Sequence, residues 1–164
     1  MKKLIVVRHA KSSWAEPGQQ DFDRPLSERG KKDAPEMARR LLDADIKINA
    51  FVSSPAKRAR ITCRAFTEAY GRDKEEIIFH EKLYHAPARI FYETVKEFDD
   101  TYKTVAVFAH NPGITDFVNT LCANMQIDNM PTCGVFAVQA DVKSWEDFES
   151  AEKEFLFFKF PKEI

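Results

Sequence analysis

The chain has 164 residues, with 25 Lys plus Arg against 26 Asp plus Glu and a formal net charge of -1. That balance leaves no global field to attract nucleic acid, so any anion site has to be local. No apolar stretch is long enough to cross a bilayer. The cysteines, Cys63, Cys122 and Cys133, are odd in number and form no Cys-x-x-Cys pair, against a disulfide framework or a zinc knuckle.

Met1-Lys2-Lys3 and the four apolar residues after it lack the h-region and cleavage site of a signal peptide. A cytoplasmic protein is expected, with neither nucleic acid nor membrane as partner. No repeat, low-complexity tract or Gly/Ser linker divides the sequence, so residues 1–164 are expected to form one domain.

In chain order, residues 4–7 (Leu-Ile-Val-Val) read as a buried strand ending in Arg8-His9. Residues 11–24 are polar, contain Pro17-Gly18 and read as a loop. Ser27 is a capping residue for a helix with Ala34, Met37, Ala38, Leu41 and Leu42 at helical spacing, and Pro35 marks an irregular early part. Residues 50–53 form a second strand, and Pro55 opens a helix with Ala59, Thr62, Cys63 and Phe66 on its inner face. Residues 77–79 are a third strand and 90–98 a helix. Residues 104–108 are another buried strand, followed by His110-Asn111-Pro112-Gly113 and a helix to about Cys122. Residues 135–140 and 154–160 close the chain as a pair of strands. Alternating strands and helices predict a layered α/β domain with helices on both sheet faces.

Arg8-His9, Ser54-Pro55 and His110 each follow an expected strand, so they can meet at one edge of the sheet. Arginine offers a planar fork to a phosphoryl group, and neutral imidazole is a nucleophile near neutral pH. Arg8 and Arg58 are expected to make bidentate contacts, with Arg24 as a third. Amides near Asn111 and Gly113, opening a helix, can donate to the same oxygens. His9 is the candidate nucleophile, and His110 a donor to the phosphoryl oxygens, cationic when the anion is bound.

Each residue has a plainer alternative. Arg58 could be a helix surface charge, His110 a helix cap, and Ser54-Pro55 a simple helix start. His85, in Leu83-Tyr84-His85, is either a leaving-group acid or a surface histidine, and His80 is structural. Trp14 is either a substrate contact or a buried loop anchor. Arg beside His9, and no Asp or Glu in the cluster, argue for chemistry without a metal or other cofactor.

With these pieces assembled, the sequence resembles the histidine phosphatase (phosphoglycerate-mutase-like) superfamily, and within it the phosphohistidine phosphatases of the SixA type. Val7-Arg8-His9-Ala10, Arg24-Pro25-Leu26-Ser27, Ser54-Pro55-Ala56-Lys57-Arg58-Ala59-Arg60-Ile61-Thr62 and His110-Asn111-Pro112-Gly113 carry the likeness. The resemblance implies a three-layer α/β/α sandwich with a mostly parallel sheet. It implies His9 as nucleophile, Arg8, Arg58 and His110 as the phosphate pocket, and Arg24 as a further contact. Two departures stand out. Ala10 replaces the usual Gly, harmful only if that position needs φ > 0, and His85 stands where ester-cleaving relatives carry a Glu acid. A missing acid suits phosphohistidine, whose imidazole leaves more easily than an alkoxide. The expected substrate is therefore a phosphorylated protein, cleaved through a phosphohistidine intermediate. The alternatives are a small phosphomonoester or acyl phosphate with His85 as acid, and a phosphate-binding module without turnover.

Overall fold

The computed structural model describes residues 1–162. Its six-stranded sheet is built from β1 (Lys2–Arg8), β2 (Ala50–Ser53), β3 (Ile78–Phe79), β4 (Thr104–Ala109), β5 (Val135–Ala140) and β6 (Lys153–Lys159). The helices are α1 (Glu28–Asp43), α2 (Lys57–Ala69), α3 (Ala88–Lys96) and α4 (Gly113–Leu121). Strand order is β3-β2-β4-β1-β5-β6. The pairs β2–β3, β2–β4 and β1–β4 are parallel; β5 and β6 are antiparallel. Among the described residues no helix is long and apolar enough to cross a membrane.

The side-chain alternation of the strands sorts the core into two layers. Ile5, Val7, Phe51, Ala106 and Phe108 point toward Met37, Ala38 and Leu41 of α1 and Cys63 and Phe66 of α2. Leu4, Val6, Val52, Val105 and Val107 point the other way, against Phe91 and Val95 of α3 and Ile114, Phe117 and Val118 of α4. Strands buried on both faces need continuous apolar runs, which Leu4 to Val7 and Val105 to Phe108 supply. The helix layers follow chain order: β1 to β2 to β3 moves along the sheet one way, and β3 to β4 to β5 returns. Right-handed crossovers then require the outward and return connections to use opposite faces.

Helix α1 runs unbroken through Pro35, so the irregularity expected there does not interrupt it. Burial of Ala34, Met37, Ala38 and Leu41 along its inner stripe outweighs the one hydrogen bond proline removes. Leu42, expected on that stripe, is 40% exposed instead. Helix α2 begins at Lys57, two residues after Pro55, and Ala56 is its N-cap residue.

Register positions the functional edge. Arg8 pairs with Ala109, and Ser53 with Phe108. The ladder continues one residue further, with the His9 amide donating to the Ala109 carbonyl at 3.2 Å and the Ser54 amide to the Phe108 carbonyl at 3.0 Å. His9, Ser54 and His110 therefore lie side by side where β1, β2 and β4 end.

Candidate active site

His9 lies at the floor of the site, 6% exposed. Its Nδ1 is 2.7 Å from the Ala10 carbonyl oxygen. A carbonyl only accepts, so Nδ1 carries the proton and the lone pair is on Nε2. Ala10 in turn donates its amide to Thr62 Oγ1 at 2.9 Å, and Thr62 donates to the Arg58 carbonyl at 2.8 Å. The residue after His9 is thus clamped to α2. Ala10 is not among the residues with positive φ, so alanine sits there without backbone strain.

His110 faces His9, with ring centroids 5.3 Å apart. Its Nε2 is 2.7 Å from Ser54 Oγ. Ser54 Oγ accepts the Ala56 amide at 3.3 Å and keeps both its proton and a second lone pair; when the hydroxyl donates to His110 Nε2, the ring proton stands on Nδ1. That Nδ1, and Nε of Arg8, are buried without a partner among the described residues. Buried polar atoms are rarely left unpaired, and two unpartnered nitrogens in one cationic pocket mark a place for a polar ligand.

The three arginines spend their forks differently. Arg8 donates from Nη1 to the Met130 carbonyl at 2.9 Å, keeping Nε free. Arg58 is 6% exposed, at the start of α2. It gives Nη1 to the Asp21 carbonyl at 2.7 Å and Nη2 to Asp21 Oδ2 at 3.0 Å. Arg24 is committed to the loop: Nε to the Ser13 carbonyl at 3.2 Å, Nη1 to Asp21 Oδ1 at 3.1 Å, and Nη2 to the Ser12 hydroxyl. Its guanidinium lies over the indole of Trp14, 3.2 Å from the ring centre. Trp14 is 75% exposed, a cover for Arg24 rather than a buried anchor.

The premise that no carboxylate belongs to this cluster is overturned by Asp21. It sits in a 3-10 turn over Asp21–Asp23, between Arg24 and Arg58, and also accepts the Tyr84 hydroxyl at 2.6 Å on Oδ2. The Tyr84 ring stands edge-on to His110 at 5.6 Å and 3.9 Å from the ring of His85. His85 itself is exposed, with φ of 60°.

Asn111 and Gly113 lie beside the pocket in supporting positions. Asn111 Nδ2 donates to Asn129 Oδ1 at 2.8 Å and the Met130 carbonyl at 3.2 Å, and its Oδ1 accepts from Thr115 at 2.5 Å. Its side chain ties down the loop whose Met130 carbonyl holds Arg8. Gly113 is a packing position, because a Cβ there would stand 1.7 Å from the Ala86 carbonyl oxygen. Gly30 plays the same part at the mouth, where a Cβ would stand 2.2 Å from the Lys11 carbonyl.

Burial and charge set the protonation states. Burial first, then Arg8, Arg58 and Arg24, push the His9 imidazole down to about 3, against the opposing Ala10 hydrogen bond. Burial, His9 and Arg58 push His110 down to about 2. Both rings are therefore neutral at pH 7. Partial burial works upward on Asp21, but bonds from Tyr84, Arg24 and Arg58 hold its carboxyl far below the usual carboxylate range. Among the described residues no three His, Cys, Asp or Glu side chains come together to hold a metal ion.

A cleft of about 1030 Å³ lies at the other end of the sheet, lined by residues such as Met1, Cys122 and Lys153 and by none of the site groups. The candidate site is at the edge where β1, β2 and β4 end.

The profile of the histidine phosphatase superfamily (branch 1) matches residues 4–85, half of the chain. An uncharacterized chloroplastic protein of Arabidopsis thaliana is 26% identical over 155 residues, 89% of this chain and 70% of that protein. Phosphoserine phosphatase 1 of Hydrogenobacter thermophilus is 42% identical over 71 residues, 42% of this chain and 33% of its own length. A solved structure from Agrobacterium tumefaciens, assigned to the phosphohistidine phosphatases SixA, superposes with a TM-score of 0.81 at 24% identity and covers 98% of each chain. That likeness bears on the fold.

Proposed function

The chain belongs to the histidine phosphatase superfamily, branch 1, and on that footing we propose that it is a phosphohistidine phosphatase of the SixA type, working through His9 without a metal. The observation that carries this reading is a neutral His9 with its lone pair on Nε2, set in a pocket of guanidiniums beside two buried nitrogens without a partner among the described residues.

His9 Nε2 attacks phosphorus in line, forming a P–N bond as the bond to the substrate imidazole breaks. The departing ring takes the electron pair and keeps the proton it brought on its other nitrogen. Arg8 Nε, the unspent N–H groups of Arg58 and His110 Nδ1–H hold the equatorial oxygens, stabilising charge that spreads over them in the transition state. Water then attacks phosphorus, the P–Nε2 bond breaks, and inorganic phosphate leaves. The Ala10 carbonyl keeps the tautomer fixed through both steps.

A polypeptide-borne phosphoryl group suits the short connections around the edge. Residues 80–87 between β3 and α3 and 110–112 between β4 and α4 are short, and the longer segment 9–27 is tied down through Asp21 to Arg24 and Arg58. A second reading, a phosphatase for a small phosphomonoester with His85 as acid, draws support from the 42% identity to Phosphoserine phosphatase 1 over 71 residues and from His85 at the rim beside Tyr84.

The test is phosphate release from a phosphohistidine peptide and from p-nitrophenyl phosphate, in excess chelator, by wild type and His9→Ala. Faster turnover of the phosphohistidine peptide, lost with His9, is expected. Activity that needs a divalent ion would refute the metal-free mechanism, and turnover of the ester alone would favour the second reading. Binding of phosphate with no turnover of either substrate would make the protein a binding module.

A further inference from the structure

Asp21 is a carboxylate inside a pocket built for anions, and the phosphoryl chemistry above gives it no task. Its bonds are specific: Oδ1 accepts from Arg24, and Oδ2 accepts from both Arg58 and Tyr84. A carboxylate offers about four lone-pair positions, two on each oxygen. Oδ2 is therefore full, and one position remains on Oδ1, in a side chain 38% exposed.

The place of that remaining acceptor follows from Arg58. Two of its N–H groups go to Asp21, one to the carbonyl and one to the carboxylate. A phosphoryl oxygen taken by the other N–H groups of that guanidinium lies within one side-chain width of the Asp21 carboxylate. His9 attacks from the buried floor, so in-line displacement sends the leaving group toward solvent. The Asp21 side chain is 38% exposed where that of its partner Arg58 is 7% exposed, so Asp21 is the solvent-side member of that pair, with Tyr84 bonded to it.

We propose that Asp21 is a specificity-determining residue, accepting the ring N–H of a departing imidazole and so favouring phosphoramidates, whose leaving group carries its own proton, over phosphate esters, whose leaving oxygen has to be given one. This rests on the phosphohistidine reading above and adds the device that selects for it. The carboxylate cannot supply a proton itself, because Arg24 and Arg58 keep it ionised. Tyr84 donates its hydroxyl proton to the same carboxylate. An ester oxygen leaving past Asp21 therefore meets a negative charge, and an imidazolium N–H meets an acceptor. The other charged and titratable groups of the pocket, Arg8, His9, His85 and His110, contribute no further carboxylate.

The test compares kcat/KM for a phosphohistidine peptide with that for a phosphoserine peptide, whose alkoxide has to be protonated as it leaves, in wild type and Asp21→Asn. A hydrogen bond to a charged acceptor is worth enough that the ratio is expected to fall about tenfold or more in the variant, whatever happens to the ester rate alone. The alkaline limb of kcat for the phosphohistidine peptide, which reports the bound complex, is expected to move to lower pH, because the carboxylate no longer favours the protonated ring. Equal losses on both substrates with an unmoved pH limb would overturn the proposal, leaving Asp21 a support for the arginines. Should Asp21→Asn not fold, Tyr84→Phe gives the answer: losing the hydroxyl that orients Oδ2 lowers the same ratio about threefold, and an unchanged ratio overturns the proposal. Wild type that cleaves the ester and leaves the phosphohistidine peptide intact would overturn the phosphohistidine reading and this inference with it. A constant ratio in a wild type active on both would overturn the inference alone.

Discussion

Two buried imidazoles held neutral make the fold acid-labile in a pH range where most proteins are at their firmest. His9 and His110 are pushed to about 3 and about 2 in the folded chain, whereas each titrates near 6.5 when unfolded. Between those values the unfolded chain binds protons that the folded chain refuses, so stability falls as pH falls. From pH 6 to pH 5 each unfolded imidazole is mostly protonated, and two of them remove about 2 kcal/mol over that unit. Asp21 adds the same sign lower down: its folded carboxyl is depressed, so its contribution is present above the unfolded carboxylate range and lost as pH drops through and below it. Against a total of about 5–15 kcal/mol, the histidines alone are a sizeable share. The assay is urea unfolding at pH 7, 6 and 5, where the midpoint is expected to drop by about 1 M between pH 6 and pH 5. His9→Gln and His110→Gln should each remove about half of that drop, because glutamine does not titrate. A midpoint that stays level across the range, or a full drop retained in both variants, would refute the argument.

Two further substitutions probe how the site is held. Gly113→Ala places a Cβ 1.7 Å from the Ala86 carbonyl oxygen, where backbone meets backbone. A cost of about 3 kcal/mol, or roughly 10 °C in Tm, is expected, and an unchanged melting curve would show that α4 does not pack there as described. Thr62→Val keeps shape but removes the acceptor of the Ala10 amide, which is buried. A loss of about 1–3 kcal/mol is expected in urea unfolding, with reduced turnover as the residue after His9 loosens; full stability would mean that the amide finds another partner.

Much of this protein is written in its short-range patterns. The runs at Leu4 to Val7, Ala50 to Ser53 and Val135 to Ala140 marked strands whose positions the fold keeps, because a buried strand needs little more than consecutive apolar residues. Ser27 marked the start of α1 for a local reason, its hydroxyl accepting the Gly30 amide at 3.1 Å. Arg8, His9, Arg58 and His110 were legible as a set because each stands just beyond a strand or at the start of the following helix, and strand ends of such a sheet share one edge. Leu42 shows the limit: helical spacing put it on the inner stripe of α1, yet it sits at the border of that stripe and faces solvent.

What stayed hidden depends on distances along the chain. Asp21 lies in a polar loop with no periodicity, and its bonds to Arg58 and Tyr84 span 37 and 63 residues. The side-chain tie of Asn111 to Asn129, 18 residues on, and the close approach of Gly113 to the carbonyl of Ala86 were likewise not legible, and neither bears on the backbone amides expected to face the phosphoryl oxygens. The sequence by itself determined the layers, the strands and the placing of Arg8-His9 at a strand end, since those follow from alternation, capping and chemistry carried by neighbouring residues. Only the tertiary structure decided which donors were left unspent and which carboxylate entered the pocket, because hydrogen-bond saturation belongs to groups that meet after distant segments have packed.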